Sequence, residues 1–135
     1  GGVSGNAGLF STTHDLAVIF QMLLDRGICG DRRYLSRATC DLFMGMKAKN
    51  SRRGLGFDKP DVESDDNSPC APEAPASVFG HTGFTGTCVW VDPDNELVFV
   101  FLSNRTYPVA FGHDNLMKLD IRSRIQQAMY QSIMY

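Results

Sequence analysis

The chain has 135 residues, with thirteen Lys and Arg against fifteen Asp and Glu for a formal net charge of −2; this balance offers polyphosphate no electrostatic footprint and excludes nucleic acid as a partner. Hydrophobic residues at 43% and charged residues at 21% are ordinary globular usage, which excludes fibrous repeats and wholesale disorder, and the length predicts a single domain over residues 1–135. The longest apolar run, Leu97 to Leu102, is far short of the ~20 residues of a bilayer span, so neither a membrane span nor a signal peptide is read from the chain.

The chain opens at Gly1-Gly2 without Met, which reads as a processed or excised piece. Gly1, Gly2, Gly5 and Gly8 then make a turn-rich approach. Thr12 and Asp15 form a capping-box-like pair, Leu16, Ile19, Phe20 and Leu23 follow at helical spacing, and Gly27 stops the helix, so one face of it is expected to be buried. Ser36 is the next N-cap, opening a shorter helix through Leu42, Phe43 and Met46 that ends in the basic stretch from Lys47 to Arg53. Gly54 to Asp58 is expected to be a brief strand.

Residues 58–77 carry Pro60, Pro69, Pro72 and Pro75 and more acidic than basic residues. They read as a long acidic, Pro-rich loop and, at that length, as a solvated insertion. Val78 to Val91 reads as a strand, with Cys88 and Trp90 on one face and Thr87, Val89 and Val91 on the other. Asp92-Pro93-Asp94-Asn95 is turn chemistry and predicts a hairpin. Its second arm, Leu97 to Leu102, is apolar on both faces and predicts a central strand covered on both sides. His113 to Tyr135 places Met117, Ile121, Ile125, Ala128 and Met129 at helical intervals, with Asp114 as cap. The fold expected is α+β: an antiparallel sheet flanked by helices, with strands missing at its edges.

Cys29, Cys40, Cys70 and Cys88 show no CxxC and no paired His spacing, so neither zinc nor a disulfide framework is signalled, and no cofactor is expected. Cys29, Cys40 and Cys88 read as buried thiols, and Cys70, in the polar loop, as exposed. His14 and His113 each precede an aspartate at a helix start, where capping accounts for them.

The chemistry concentrates in Phe79-Gly80-His81-Thr82-Gly83-Phe84-Thr85-Gly86, where three alternate glycines surround one histidine. Glycine in a strand costs stability and marks a bulge or a close approach to the backbone, so exposed amides here could hold an anionic or carbonyl oxygen. With Gly1 to Thr12, Gly54-Leu55-Gly56, Trp90-Val91-Asp92-Pro93 and Ser103-Asn104-Arg105, this stretch resembles the carboxy-terminal part of a serine β-lactamase-like protein, the group of class C β-lactamases, D-alanyl-D-alanine peptidases and esterases. The resemblance runs in order along essentially the whole chain and implies an incomplete β-lactamase/transpeptidase-like fold.

By that resemblance His81-Thr82-Gly83 is the family's third motif, written Lys-Thr-Gly in many β-lactamases. It implies that His81, Thr82 and Gly83 bind substrate, that the Phe84 amide completes an oxyanion hole, and that Tyr107-Pro108 lies at the rim. The family's nucleophile comes from Ser-x-x-Lys, yet no serine of this chain has lysine three residues on, and no tyrosine begins Tyr-x-Asn. Ser4-Gly5-Asn6 fits Ser-x-Asn only as a chance match of common residues, and Ser4 lacks the second glycine of a nucleophile elbow. No catalytic residue is therefore expected in this chain.

The function implied is that of a serine hydrolase segment, inactive alone, whose full protein transfers acyl groups from a β-lactam, D-alanyl peptide or ester, in the periplasm or otherwise outside the cytoplasm on cell-wall material. The implied partners are a small-molecule or peptide substrate and the upstream part of the same protein. Without that part, apolar surface on the sheet and on the Leu16 helix should be exposed and support self-association. The alternatives are a non-catalytic binding module for carboxylate-bearing cell-wall peptides and, more distantly, a helical interaction module.

Overall fold

The computed structural model describes residues 7–45, 47–49, 51–61, 68–109, 112 and 114–133. Helix α1 spans Thr13–Leu24. It starts where the Thr12 hydroxyl accepts from the Asp15 amide at 3.1 Å, satisfying a donor with no partner inside the helix. It ends in a left-handed step at Arg26 and Gly27, with φ of 55° and 89°, that brings the Gly27 amide to the Met22 carbonyl at 2.8 Å. A Cβ at Gly27 would stand 2.2 Å from the Leu35 carbonyl oxygen, so glycine is what lets the next segment fold back. That segment is a small antiparallel pair, β1 (Ile28–Cys29) and β2 (Arg32–Arg33). Helix α2, Arg37–Gly45, is capped by Ser36, whose hydroxyl accepts from the Thr39 amide at 3.0 Å, and it buries Cys40 and Met44.

The main sheet holds β3 (Phe79–Thr82), β4 (Cys88–Asp92) and β5 (Leu97–Phe101) in the order β3-β4-β5, antiparallel throughout. Gly80 lies opposite Trp90, which in turn lies opposite Phe99. Alternation splits the side chains between two cores. Phe79 and Val91 pack with Cys40 and Met44 under Phe20, Leu23 and Phe57, and Cys88, Trp90 and Phe99 pack with Cys70, Ala71, Ala74, Val78 and Tyr130. The second core is roofed by α4 (Ile121–Ile133), which follows the single turn α3 (Asn115–Lys118). Two buried bonds lock α4 down: the Tyr130 hydroxyl donates to Asp92 Oδ2 at 2.8 Å, and Gln126 Oε1 accepts from the Ala71 amide at 2.9 Å.

The architecture is the expected α+β one, with several local departures. Residues 54–58 form no strand; Asp58 alone makes a bridge to Gly80. The stretch read as one strand from Val78 to Val91 is a hairpin, because Gly83 to Gly86 turn the chain. β5 is an edge strand among the described residues, with only Phe99 buried, and the centre is β4, buried at all five positions. The second half of the 58–77 loop is packed rather than solvated. Cys70 is 3% exposed because Ala71 and Ala74 pull the backbone against α4; Cys29 is instead half-buried.

No residue of α1 is fully buried, and Ile19 is 49% exposed. The tail helix is broken at Asp120, which has φ of 46°. Its buried positions are Ser123, Gln126 and Tyr130, while Met117 and Ile125 face outward and Asp114 makes no side-chain cap. Polar residues occupy the inward face because they meet polar groups there: Gln126 the Ala71 amide in the packed strap of residues 68–77, Tyr130 the Asp92 carboxylate. Residues 1–6, including Ser4, lie outside the described residues, as do Met46 and His113.

Candidate functional site at the outer edge of β3

In an antiparallel ladder, successive residues direct their main-chain groups to alternate sides. Gly80 bonds Asp58 in both directions, at 2.8 and 3.1 Å, on the side away from β4. Phe79 and His81 therefore serve β4, while Gly80 and Thr82 face outward. Beyond the Asp58 bridge the edge is open, and among the described residues the outward Thr82 amide meets no backbone acceptor. The Thr82 carbonyl receives His81 Nδ1 at 2.6 Å.

The three alternate glycines serve the fold first. A Cβ at Gly80 would fall 1.9 Å from the Val89 carbonyl oxygen and 2.7 Å from the Trp90 ring, so Gly80 is the gap into which the core tryptophan packs. The Gly83 amide is spent on the Thr87 carbonyl at 2.7 Å and the Gly86 amide on the Gly83 carbonyl at 3.0 Å. Of the amides in this stretch, those of Thr82, Phe84 and Thr85 remain open among the described residues. The turn holding Phe84 is fixed from behind: Arg105 Nε donates to the Phe84 carbonyl at 2.7 Å, the Arg105 amide to the Thr85 carbonyl at 2.9 Å, and the guanidinium lies 4.8 Å from the Phe84 ring centroid. This gives Ser103-Asn104-Arg105 a physical role, the rigid placement of the Phe84 amide. Tyr107, on the same segment, is exposed.

His81 and Thr82 are neighbours in a strand and so point to opposite faces. His81 is exposed on the α1/α2 side and Thr82 is half-buried on the Cys88 side, and they share only the strand's outer margin. A third group joins them that no sequence pattern singles out: Arg53 Nη1 stands 3.0 Å from His81 Nε2. Its neighbour Arg52 clamps the buried Asp58 carboxylate with both arms, at 2.8 and 3.1 Å, while Arg53 Nη2 is 3.6 Å from the same carboxylate. Twenty-eight positions separate Arg53 from His81, and no local spacing could have linked them.

Lys59 is buried beside this cluster, donating from Nζ to the Met44 carbonyl at 2.8 Å, and burial lowers its pKa. Burial, with the Asp58 charge added, raises the Cys70 thiol, and burial pushes Cys88 up to about 11, so neither is a nucleophilic thiolate. Among the described residues no three His, Cys, Asp or Glu side chains gather as a metal site. Two open grooves, of about 530 and 370 Å³, lie elsewhere, along α1 and the free side of β5, lined by Thr13, His14, Ala17 and Val98 among others.

The outer edge of β3 thus brings together open main-chain amides, a histidine and a guanidinium. The Beta-lactamase family model matches residues 1–121. A protein of Escherichia coli O157:H7 named as a D-alanyl-D-alanine carboxypeptidase is 39% identical over 120 residues, covering 85% of this chain and 26% of that protein. A protein of the same name from Salmonella gallinarum is 39% identical over 115 residues, covering 82% and 26%. The crystal structure of a β-lactamase from Mycobacterium bovis shares the fold with a TM-score of 0.67 at 24% identity, over 90% of this chain and 44% of that one. The chain belongs to the β-lactamase family of hydrolases. It spans 26% of the length of the curated relatives it matches.

Proposed function

We propose that this chain supplies one wall of the active site of a serine hydrolase that transfers acyl groups from a D-alanyl peptide, a β-lactam or an ester. The open outer margin of β3 carries the reading: Thr82 and Phe84 present unspent amides on a backbone pinned by Asp58, Thr87 and Arg105. Fixed donors aimed at a developing oxyanion are each worth about 3–4 kcal/mol in acyl transfer, and rigidity is what makes them effective. In this reading His81, Thr82 and Gly83 form the substrate-facing strand and the Phe84 amide completes the oxyanion hole.

The nucleophile and its base come from outside the chain, because none of its serines has lysine three residues on, and the chain alone is inactive. The rest of the protein is its partner and covers apolar groups that are half exposed here, such as Ile19, Leu42 and Phe43. The names of the relatives favour work on cell-wall peptides outside the cytoplasm.

The test is turnover of a chromogenic cephalosporin and a nitrophenyl ester by this chain and by the longer protein that contains it. The chain should give the buffer rate and the longer protein a rate that His81→Ala lowers. Turnover by the chain alone that Ser4→Ala removes would overturn the assignment of the nucleophile.

A further inference from the structure

Among the described residues, one step of the outer edge of β3 is paired, and the residues on either side of Asp58 explain why the pairing goes no further. The Asp58 and Gly80 main chains exchange both hydrogen bonds, at 2.8 and 3.1 Å. In an antiparallel ladder the next exchanges on this edge would fall two residues away, between residues 60 and 78 and between residues 56 and 82. Pro60 has no N–H to give, and the Val78 amide is already spent on the Pro75 carbonyl at 3.0 Å. On the other side the chain turns back at Leu55-Gly56. Gly56 has φ of 84°, its amide donates to the Gly54 carbonyl at 3.1 Å, and the Gly54 amide closes on the Phe57 carbonyl at 2.9 Å. Thr82 is left without the partner that residue 56 would have been.

The bridge is firmly held. The Asp58 carboxylate, 1% exposed, accepts from Arg52 Nε and Nη2 at 2.8 and 3.1 Å and from the Lys59 amide at 3.1 Å. Lys59 Nζ donates to the Met44 carbonyl, near the end of α2, at 2.8 Å and to the Ser77 carbonyl at 3.5 Å. Residues 58 and 59 are thus tied to α2, to the strap and to Arg52. A ligand strand cannot take the place of Asp58 on Gly80 without disturbing these contacts too.

We infer that the Asp58 bridge and the Leu55-Gly56 turn form a stop that limits how far a substrate runs along β3, with Arg52 as the positioning residue that keeps it closed. The inference rests on the β3 margin being the substrate wall. With the scissile carbonyl at the Phe84 amide, Thr82 lies two residues along, at most about 7 Å, and Gly80 as far again. A substrate can therefore add about two residues on the side that runs toward Gly80, and a third meets the Asp58 main chain. On the side that runs away from Gly80 the described residues place no bridge on the edge. The site is selective for acyl substrates that are compact on one side of the scissile bond and tolerant of length on the other.

The test compares three acetylated peptides as substrates of the longer protein that contains this chain: D-alanyl-D-alanine, the same pair with three glycines added after the scissile bond, and the pair with three glycines added before it. One lengthened peptide should lose about tenfold in kcat/KM, the scale of one ladder hydrogen bond forgone, while the other stays within about twofold of the short one. Arg52→Gln should narrow that tenfold ratio to about threefold, and in this chain it should speed hydrogen exchange at the Gly80 amide while α1 keeps its protection. The comparison in the parent protein stands whether or not the variant folds. Equal kcat/KM for all three peptides would overturn the stop and leave the wall. An unchanged ratio in Arg52→Gln with faster exchange at Gly80 would overturn the role given to the bridge. No cleavage of the short peptide would remove the wall and the stop together.

Discussion

Replacing Tyr130 with Phe tests how the helix layer is fixed to the sheet. The ring is 1% exposed in the core with Trp90 and Phe99, and its hydroxyl donates to Asp92 Oδ2 at 2.8 Å. The substitution keeps the ring and deletes one hydrogen bond to a buried carboxylate, a loss of roughly 1.5–3 kcal/mol. Asp92 retains other donors, the Asp94 amide at 2.9 Å, the Asn95 amide at 3.2 Å and Asn95 Nδ2 at 2.8 Å on the same Oδ2. The remaining contacts hold the loss near the middle of the range, about 2 kcal/mol, a factor of roughly 30 in the folding equilibrium. At ~2 cal/mol/K of unfolding entropy per residue the midpoint falls by about 7 °C. Urea unfolding followed by the single tryptophan, Trp90, reads this directly, since Trp90 lies in the same core. A double-mutant cycle with Asp92→Asn should show coupling, because the two groups touch. A loss below about 0.5 kcal/mol, or strict additivity with Asp92→Asn, would refute the account of α4 as anchored through this pair.

Gly80→Ala should be far more damaging than its one methyl suggests, since the new Cβ would meet the Val89 carbonyl at 1.9 Å and the Trp90 ring at 2.7 Å. We expect a loss of ~3 kcal/mol or more, at the upper end of overpacking, read by urea unfolding; near-wild-type stability would show that Trp90 does not need the gap. Alkaline stability should fall because burial holds the Cys88 proton until about pH 11 in the folded chain, against an unperturbed 9.0. Between those values the unfolded state releases the proton first, so stability drops by up to ~1.4 kcal/mol per pH unit from this group. Unfolding curves from pH 8 to 10.5 should be flatter for Cys88→Ala than for the parent, and equal slopes would rule the thiol out as the cause.

What the sequence revealed and what it hid divide along the range of the interactions. Helix starts were legible because they are local: Thr12 with Asp15, and Ser36 with Thr39, are contacts three residues apart. The 92–95 turn was legible for the same reason, as Asp92 bonds to residues two and three ahead. The packed strap was hidden, since Pro and acidic residues around Cys70 and Ala71 describe a loop, and nothing local says that Gln126, fifty-five positions away, accepts the Ala71 amide. The buried face of α4 was misread because it carries Ser123 and Gln126, which apolar periodicity does not count. In the candidate site His81, Thr82 and Phe84 were legible as a motif, whereas the Arg53 contact to His81 was not. The glycines signalled a close approach to the backbone, and at Gly80 that approach is by Trp90.

The two edges of the sheet are dressed differently, and the difference bears on function. On β3 the outer edge is polar, bridged by Asp58 and lined by His81, Thr82 and Arg53. On β5 the ladder assigns Cys88, Trp90 and Asp92 to the β5 side of β4, so their partners Phe101, Phe99 and Leu97 face inward and the main-chain groups of Val98 and Val100 face out. That outer edge has no charge, no proline and no bulge, the usual means by which a terminal strand avoids further pairing. Its side chains, Leu97 to Phe101, are apolar on both faces yet only Phe99 is buried. An apolar strand left half-covered favours association, and a polar, bridged one favours a soluble ligand. The sheet thus presents two chemically different edges: β3 is polar and bridged, and β5, with α1 beside it, is apolar and half-covered. The mistaken expectation that β5 is a central strand was therefore a correct reading of its composition, since the strand carries the apolar surface of a position that the described residues only half enclose.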